Sequence, residues 1–413
     1  MRILFLNPIG NIGGAERVLL TAVAGLKREL PSAVVRVVAL SDGPLLAAAR
    51  ELGAVTEVVP PPTGFGELGD SRAASNRRML LARSLTRLPA LWPFIGRLRE
   101  SIARFKPDLV HSNGIKTHIL SRFTVSPAVP VVWHVHDLYG LRPLAGWLLR
   151  RSRSRVRVAV AISNAVALDA KIVLPGVRVE IVPNAVDLAR FAPGPGDGDE
   201  LDRRAGLPPA TPGTVRVGLV ATYARWKGHI AVLDTASRLV GESPALPVRW
   251  YIVGGPIYQT AAQFSAVELR EAAAARGLTD RVGFVPFTAE PVSIYRSLDV
   301  VLHASTLPEP FGLTVAEAMA CGRAVVVSAA GGAVELFTEG VDAVGFSPGN
   351  VDQLVRVVRR LVENSGLRAR LGEAARRTAE TRFDAHHYGQ RLCQVYCSAM
   401  GSHRADTIPN LTS

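Results

Sequence analysis

Short apolar runs rich in Val alternate with helix-forming stretches along almost the whole chain of 413 residues. Several of these runs are apolar on both faces, which is typical of strands in a parallel sheet covered by helices on each side. Strands that alternate with helices predict a doubly wound α/β sheet. In the first half of the chain the predicted strands are 2–7, 34–40, 108–113, 129–136, 156–163 and 177–184.

The alternating pattern is interrupted once and then repeats. Residues 191–213 are dense in Pro, Gly and Asp, which predicts a linker. Two similar halves predict two nucleotide-binding-like domains, in which ligands collect at the carboxyl ends of the strands. We place the first domain at 1–195 and the second at 196–385, and we expect the last helix and its tail, 386–413, to return to the first domain. The predicted strands of the second half are 214–222, 248–255, 281–286, 299–305, 323–329 and 343–348.

The positive charge of the chain is unevenly distributed. The formal net charge is +13; residues 71–106 contain nine basic side chains and one acid, and residues 138–168 contain six arginines and no acid. This distribution favours anionic partners, namely phosphates, nucleic acid or an acidic membrane surface. A general enrichment in arginine explains it equally well, since only five of the 48 basic residues are lysines.

Other features bear on compartment and metal binding. Because no run of about 18 apolar residues occurs, we expect no transmembrane helix, and we interpret the apolar amino terminus as a buried strand rather than a secretory signal. The three sparse cysteines fit a cytoplasmic location. We assign no metal site: Asp197 and Asp199 resemble the metal-binding pair of some sugar transferases, but they are interpreted as solvated residues of the predicted linker.

The strongest chemical signal is the segment 308–322, PEPFGLTVAEAMACG, directly after a predicted strand. Its prolines exclude helix around Glu309, so a helix begins near Gly312 and places Glu317 in its first or second turn. Glu317 is suited to bind a ribose diol, as an acidic residue does in dinucleotide folds, and Glu309 is suited to meet sugar hydroxyls. One such glutamate alone is better explained as a surface charge, but the whole run favours a binding site. Backbone N–H groups at the helix start are suited to bind a diphosphate; they belong to Phe311, Gly312, Leu313 and Thr314.

The second signal is the segment 221–229, ATYARWKGH, another strand end that leads into a helix. Arg225 and Lys227 are suited to face the charge that develops on a leaving nucleotide diphosphate. The alternative is a charged surface loop. It is weakened by the rarity of lysine in this chain, and because this loop and residues 309–317 are expected at the same edge of one sheet.

Two strand ends in the first half offer weaker signals. Gly13 and Gly14 permit a tight turn and a close approach of the backbone to a ligand, but their spacing is not that of a dinucleotide fingerprint. His134 and His136 share one face of the strand end VVWHVHDLYG. His136 is a candidate for a sugar hydrogen bond or for acid–base chemistry, whereas a core position explains His134 equally well.

The combination of segments resembles glycosyltransferase family 4, retaining enzymes with the GT-B fold of two Rossmann-like domains facing across a cleft. The resemblance extends over nearly the whole chain up to about residue 400, and the pair of glutamates in EPFGLTVAE is its most specific part. The segments that carry it are 11–17, 134–138, 161–166, 182–191, 225–229, 251–255, 284–287 and 309–317.

The resemblance implies a role for each candidate residue. Glu317 would hold the donor ribose and Glu309 the transferred sugar, while Arg225 and Lys227 would neutralise the diphosphate. The remaining implied contacts are those of His136 near the sugar, of Gly13 and Gly14 near donor phosphate and acceptor, and of Val253, Gly254, Val285 and Pro286 around the base. Family members keep the anomeric configuration and usually need no metal, so no cofactor is expected beyond a UDP- or GDP-linked donor.

One position departs from the family pattern. The family commonly has Arg five residues before the lysine, where this chain has Thr222, so the role of Arg225 is less secure than that of Lys227. Asn184-Ala185 also replaces a common Asn-Gly.

Three functional classes follow from these observations. Sugar transfer to a glycan or lipid-linked acceptor leads, and a phosphorylase or synthase that uses a sugar phosphate is the alternative. Nucleic-acid binding is a distant third, because no binding motif accompanies the charge. Residues 76–106 mix Arg with Leu, Trp92 and Phe94, which predicts docking on the inner face of an anionic membrane; a core-packed helix pair with a solvated Arg face explains the segment equally well.

Overall fold

The chain is organised around two parallel sheets. The computed structural model describes residues 1–63, 77–256 and 261–401, with the backbone alone for 77–90. One compact unit consists of Met1–Ala185 and Ala385–Ser413, and the other of Val186–Asp384. The predicted α/β class is therefore confirmed in both units.

The first unit contains a seven-stranded sheet in the order β3-β2-β1-β4-β5-β6-β7, with parallel pairing throughout. Its strands are β1 (Arg2–Asn7), β2 (Val34–Ala39), β3 (Val55–Val58), β4 (Leu109–Ser112), β5 (Val131–Val135), β6 (Val156–Ala161) and β7 (Val179–Ile181). Its helices are α1 (Gly14–Glu29), α2 (Pro44–Glu51), α3 (Arg77–Phe105), α4 (Ile115–Thr124), α5 (Pro143–Ser152), α6 (Asn164–Val173) and the last helix of the chain, α14 (Ala385–Met400).

Helix α14 packs into the core of the first unit, where it contacts α1, β5 and β6. The two helices cross at Gly25 and Gly389, since a Cβ atom added to Gly25 would lie 2.9 Å from the Gly389 Cα. Tyr388 and Tyr396 are buried in the same core. Helices α3 to α6 form a separate row in which each helix packs against the next. The part of the predicted tail from 402 to 413 lies outside the described residues.

The second unit contains a six-stranded parallel sheet in the order β10-β9-β8-β11-β12-β13. Its strands are β8 (Val215–Val220), β9 (Val248–Gly254), β10 (Val282–Pro286), β11 (Val300–His303), β12 (Ala324–Ser328) and β13 (Val344–Phe346). Its helices are α7 (Gly198–Arg204), α8 (His229–Glu242), α9 (Ala266–Ala274), α10 (Val292–Ser297), α11 (Leu313–Ala320), α12 (Val351–Glu363) and α13 (Ser365–Arg382).

The segment 191–213 is not the linker that its composition predicts. Phe191 is buried with its ring 6.1 Å from that of Tyr295, and Asp202 of α7 is fully buried. Asp202 accepts hydrogen bonds from the Tyr251 hydroxyl and, at 2.9 Å, from Arg216 Nη2. These contacts attach the segment to the sheet, so the boundary between the units falls at 185/186 rather than at 195/196.

Strand order determines where side chains of distant sequence positions meet. In the first sheet the order reverses beside β1 and β4, and in the second beside β8 and β11. Loops that leave adjacent parallel strands at such a reversal diverge and leave a crevice at the carboxyl edge of the sheet. The loops after β1, β4, β8 and β11 are therefore where a ligand is expected. Within the described residues, none of the helices combines the length and apolarity needed to cross a bilayer.

Candidate functional site

The loops after β8 and β11 meet through an ion pair in the second unit. Lys227 Nζ donates to both carboxylate oxygens of Glu309, at 2.9 and 2.8 Å. Lys227 belongs to a single 3₁₀ turn after β8, and Glu309 lies in the loop between β11 and α11. Both side chains are largely enclosed, with 18% and 12% of their area exposed. The cationic turn and the acidic loop thus converge on one place.

Two further side chains hold Glu309. The Ser305 hydroxyl donates to Glu309 Oε2 at 2.8 Å, and His303 Nε2 lies 3.3 Å from the same oxygen. Burial alone would raise the pKa of Glu309, but the charge of Lys227 and the hydrogen bond from His303 together hold that pKa well below the usual value. Glu309 is therefore an ionised hydrogen-bond acceptor rather than a proton donor.

Backbone contacts fix the two loops against each other. The Thr306 N–H donates to the Trp226 carbonyl at 2.7 Å, which joins the loop after β11 to the turn that carries Lys227. Gly228 has φ +82°, and a Cβ atom there would lie 1.8 Å from the Ala304 carbonyl oxygen. The backbone of Glu309 is held as well, because the Gly332 N–H donates to the Glu309 carbonyl oxygen at 2.7 Å. Both Lys227 and Glu309 are therefore held by their neighbours before any ligand arrives.

Helix α11 begins at Leu313, and Gly312 is its N-cap residue with φ +105°. Phe311 and Gly312 are buried, whereas Leu313 and Thr314 are partly exposed. Glu317 falls in the second turn and is only 3% exposed. Its Oε2 atom accepts a hydrogen bond of 2.7 Å from the Tyr295 hydroxyl, which sets the carboxylate in one orientation.

Arg225 points to a different partner. Its Nη2 atom lies 2.7 Å from Glu268 Oε1, its Nε donates to the Ala261 carbonyl at 2.9 Å, and the guanidinium lies over the Phe264 ring. The side chains of Arg225 and Glu268 are both about half exposed, so the pair contributes little stability. The structure thus brings Lys227, but not Arg225, into contact with Glu309.

The four residues expected around a base lie at the ends of two paired strands. Val253 pairs with Val285 and Gly254 with Pro286, next to the end of β8. Gly254 has φ +148°, and a Cβ atom there would lie 1.9 Å from the Ala221 carbonyl oxygen. Val253 and Val285 are buried, and Pro286 is exposed.

In the first unit, Gly13 and Gly14 lie at the start of α1, after the loop that follows β1. Gly13 is the N-cap of α1, and its N–H donates to Glu16 Oε2 at 3.1 Å. Glu16 is buried and also accepts from Asn7 Nδ2 at 3.2 Å; burial raises the pKa of Glu16 although these hydrogen bonds oppose the effect. A Cβ atom at Gly14 would meet no described atom within 4 Å, so this position faces open space.

His136 follows β5. The side-chain amides of Asn113 and Asn7 connect its ring to the loop after β1. Its Nε2 atom lies 2.8 Å from Asn113 Oδ1, while Asn113 Nδ2 donates to Asn7 Oδ1 at 2.8 Å. Because Asn113 donates through its amide nitrogen, its oxygen must accept, so Nε2 of His136 carries a proton. Burial lowers the pKa of His136 to about 3, and the ring is neutral near pH 7. Its Nδ1 atom is then an acceptor.

His134 is a fully buried core residue of β5. Among the described residues, neither of its ring nitrogens has a hydrogen-bond partner. Its ring lies 4.1 Å from that of His136 and 5.1 Å from that of His111, centroid to centroid. Burial, followed by the charge of neighbouring histidines, holds the pKa of His134 well below its usual value.

No group of three or more His, Cys, Asp or Glu side chains in the described part of the chain is arranged to hold a metal ion. Asp197 and Asp199 are exposed, as predicted, but Asp197 is the N-cap of α7 rather than a linker residue, and its carboxylate accepts from the Glu200 N–H at 2.8 Å. The aspartate pair therefore belongs to a helix start.

Two known protein families match this chain. Residues 12–190 match the family described as Glycosyltransferase Family 4, and residues 210–378 match the family described as Glycosyl transferases group 1. The two matches lie in succession and leave little of the chain uncovered. The chain belongs to glycosyltransferase family 4.

Curated relatives of this family 4 chain include D-inositol 3-phosphate glycosyltransferases. The protein from Salinispora arenicola is 35% identical over 234 residues, which are 55% of this chain and 51% of the relative. The protein from Rhodococcus erythropolis is 30% identical over 235 residues, 56% of this chain and 51% of the relative. The chain thus spans about half the length of the curated relatives it matches.

Solved structures resemble the family 4 chain over nearly its full length. Anabaena HepE in complex with UDP and glucose has a TM-score of 0.79 at 25% identity and covers 96% of this chain and 100% of its own. A glycosyltransferase from Rickettsia africae has a TM-score of 0.73 at 17% identity and covers 97% and 99%. The fold is therefore GT-B.

Several residues of the site were not predicted as candidates. Asn7, Asn113 and Ser305 are the last residues of predicted strands, and His303 lies two positions before Ser305, so their position was a usable signal. Tyr295 lies on a helix, where its contact with a glutamate 22 positions later has no mark in the sequence.

Proposed function

We propose that this chain transfers a sugar from a UDP- or GDP-linked donor to an acceptor hydroxyl, with retention of the anomeric configuration. The observation that carries the proposal is the enclosed contact between Lys227 and Glu309, at the point where the strand order of the second sheet reverses. A cation held beside a carboxylate is suited to a nucleotide diphosphate sugar, because the cation can contact the diphosphate and the carboxylate can accept hydrogen bonds from the sugar hydroxyls.

In this proposal the second unit holds the donor. Glu317 accepts hydrogen bonds from the ribose diol, the N–H groups from Phe311 to Thr314 face the diphosphate, and Glu309 accepts from hydroxyls of the transferred sugar. The backbone of Val253, Gly254, Val285 and Pro286 frames the base. Lys227 supplies the main positive charge, and Arg225 becomes a second cation when the diphosphate displaces its exposed contact with Glu268.

The reaction exchanges one bond at the anomeric carbon. The acceptor oxygen attacks this carbon from the side of the leaving group, the bond to the β-phosphate oxygen breaks, and the hydroxyl proton passes to that phosphate. Lys227 stabilises the negative charge on the departing diphosphate. In the first unit, Gly13 and Gly14 would allow phosphate or acceptor to approach the backbone, and neutral His136 would accept a hydrogen bond from a sugar hydroxyl through Nδ1.

The relatives and structural neighbours of the chain support a UDP donor and a polyhydroxylated acceptor. HepE was solved in complex with UDP and glucose, and the curated relatives are D-inositol 3-phosphate glycosyltransferases. We propose an acceptor that is a glycan precursor, lipid-linked at the inner face of the cytoplasmic membrane. The described part of the basic segment 76–106 supports this location through an exposed Trp92 beside exposed Arg97 and Arg99; the side chains of 76–90 lie outside the described residues.

A donor screen tests the proposal. The chain is incubated with UDP-glucose, UDP-galactose, UDP-N-acetylglucosamine and GDP-mannose, with and without lipid-linked acceptors, and release of UDP or GDP is measured. Turnover of one nucleotide sugar with an α-configured product is expected. Glucose 1-phosphate serves as the matched donor without a nucleotide. Turnover of this sugar phosphate alone would replace the proposal by the phosphorylase alternative.

A further inference from the structure

Helices α5 and α6 of the first unit, together with the 3₁₀ turn that precedes α5, expose a group of large apolar side chains. We call this group the α5–α6 apolar face. The exposed fractions of its side chains range from about half to three quarters: 47% for Leu141, 64% for Leu144, 51% for Trp147, 64% for Leu168 and 74% for Ile172. Large apolar side chains that stand together at a surface mark a place of interaction, whereas single ones do not.

The contacts between the two helices make these side chains neighbours. A Cβ atom at Gly146 of α5 would lie 3.6 Å from Val173 Cγ1 of α6, and Arg150 Nη2 lies 3.5 Å from the carbonyl oxygen of Ile172. Leu144 and Trp147 are three positions apart on α5, so they lie on one side of that helix. The α5–α6 apolar face is therefore one surface formed by two adjacent helices.

Basic side chains surround this surface. Arg150, Arg151 and Lys171 are exposed beside it, and the Arg151 guanidinium lies 4.5 Å from the centroid of the Trp147 ring. The sequences of α5 and α6 contain one acid, Asp169. Its carboxylate accepts from the backbone N–H groups of Tyr139 and Gly140, at 2.5 and 2.9 Å, and is occupied by them.

We propose that the α5–α6 apolar face docks on an anionic lipid bilayer. Tryptophan, leucine and isoleucine enter the boundary between headgroups and acyl chains, while the flanking arginines and lysine meet lipid phosphates. A second copy of the chain would bring the same basic rim against itself, so charge opposes self-association through this face. An acidic lipid surface is complementary to both the apolar centre and the basic rim.

This surface differs from the basic segment 76–106, which belongs to α3. The proposal does not depend on sugar transfer, because docking is measured without donor or acceptor. Failure of the donor screen and failure of docking are therefore separate results. If the chain both transfers a sugar and docks through the α5–α6 apolar face, the first unit is the half of the molecule that meets a lipid-linked acceptor.

Flotation of the full chain with vesicles tests the docking. Vesicles of phosphatidylglycerol mixed with phosphatidylcholine are expected to carry the protein upward, and vesicles of phosphatidylcholine alone are not. The Leu144→Ser/Trp147→Ser double variant is expected to lower partitioning by about tenfold or more. The matched control is Val267→Ser/Val341→Ser, which removes side chains that are 62% and 55% exposed in the second unit, and its partitioning should equal that of the unchanged chain.

A fluorescence measurement guards against a variant that fails to fold. On addition of anionic vesicles, tryptophan emission of the unchanged chain should shift to shorter wavelength, and Trp147→Phe should remove a large part of the shift, whether or not Trp92 of the segment 76–106 contributes the remainder. Equal partitioning of the Leu144→Ser/Trp147→Ser variant and the unchanged chain would overturn the proposal. So would a shift that only Trp92→Phe removes, equal binding to both vesicle types, or dimerisation in light scattering that the double variant abolishes.

Discussion

Lys227 is the central residue of the proposed donor site, and its neighbours hold it in place. It is the last residue of a 3₁₀ turn that is capped by Gly228 at φ +82°, and its ammonium group contacts a carboxylate that has two other donors, Ser305 and His303. Loss of this enclosed cation would remove the charge that compensates the buried carboxylate of Glu309. Removal of one member of an enclosed ion pair costs about 3–5 kcal/mol of unfolding free energy, because the other charge stays buried.

The sequence predicted the meeting of Lys227 and Glu309 but not the direction of Arg225. Both loops follow strands of one parallel sheet, and strand ends are readable from apolar runs. Arg225 lies over Phe264 and pairs with Glu268, a choice set by the path of the chain between β9 and α9. Long flexible side chains have many rotamers of similar energy, so the sequence does not determine which partner is reached.

Substitutions at Glu317 and Tyr295 test the proposed contact of Glu317 with the ribose. Glu317→Gln keeps the size of the side chain and the contact with Tyr295 but removes the charge, so UDP binding should weaken by about tenfold to a hundredfold. Tyr295→Phe removes only the 2.7 Å hydrogen bond that orients the carboxylate and should weaken binding by less than about fivefold. Titration calorimetry with UDP measures both. An equal loss in the two variants would mean that Glu317 acts through Tyr295 and not on the nucleotide.

Among the elements, helix α1 carries two distinct features along its length. Its start carries Gly13 and Gly14 next to the buried Glu16, and its second half crosses α14 at Gly25. Most strands were predicted closely, since apolar runs mark them. The strand β3 was not, because its four residues Val55–Val58 are intermediate or exposed in burial and carry no continuous apolar run.

Two glycines of α1 give opposite expectations. Gly25→Ala should lower the free energy of unfolding of the first unit by about 1–3 kcal/mol, because the added Cβ meets Gly389 Cα at 2.9 Å. Gly14→Ala should leave stability unchanged, since no described atom lies within 4 Å of its Cβ position, yet it should lower kcat/KM for the donor by about tenfold or more if a ligand approaches this backbone. Urea unfolding and initial rates measure the two effects. Unchanged kcat/KM in Gly14→Ala would remove Gly14 from the site.

At the scale of the whole molecule, buried histidines are unequally divided. The first unit holds the buried His111, His118 and His134 and the partly buried His136, and the second holds the buried His229 and His303. Burial lowers the pKa of His111 and His136 to about 3 and that of His229 to about 4, with the pKa values of His118 and His134 also well below normal. The division into units was predicted from the repeated pattern, but its boundary was misplaced because burial of Asp202 has no compositional signature.

Acid should therefore unfold the first unit before the second. A histidine whose pKa is lowered in the folded state contributes stability that is complete above the unfolded pKa of about 6.5 and is lost as pH falls below it, by up to about 1.4 kcal/mol per pH unit for each buried ring. Calorimetric unfolding near neutral pH and about one unit below 6.5 should show the transition of the first unit falling further. The His118→Phe variant should reduce this difference. Transitions that move equally would contradict the assignment of neutral histidines to the first unit.

Titration calorimetry of UDP and UMP with the unchanged chain and with Lys227→Met tests most directly whether this enclosed cation holds a nucleotide diphosphate. The unchanged chain should bind UDP at least about tenfold more tightly than UMP, since a charge-assisted contact to phosphate contributes about 1.5–3 kcal/mol. Lys227→Met should remove most of that preference while UMP binding stays within about twofold, and Arg225→Met, as matched control, should keep most of it. An unaltered preference for UDP over UMP in Lys227→Met would contradict the assignment.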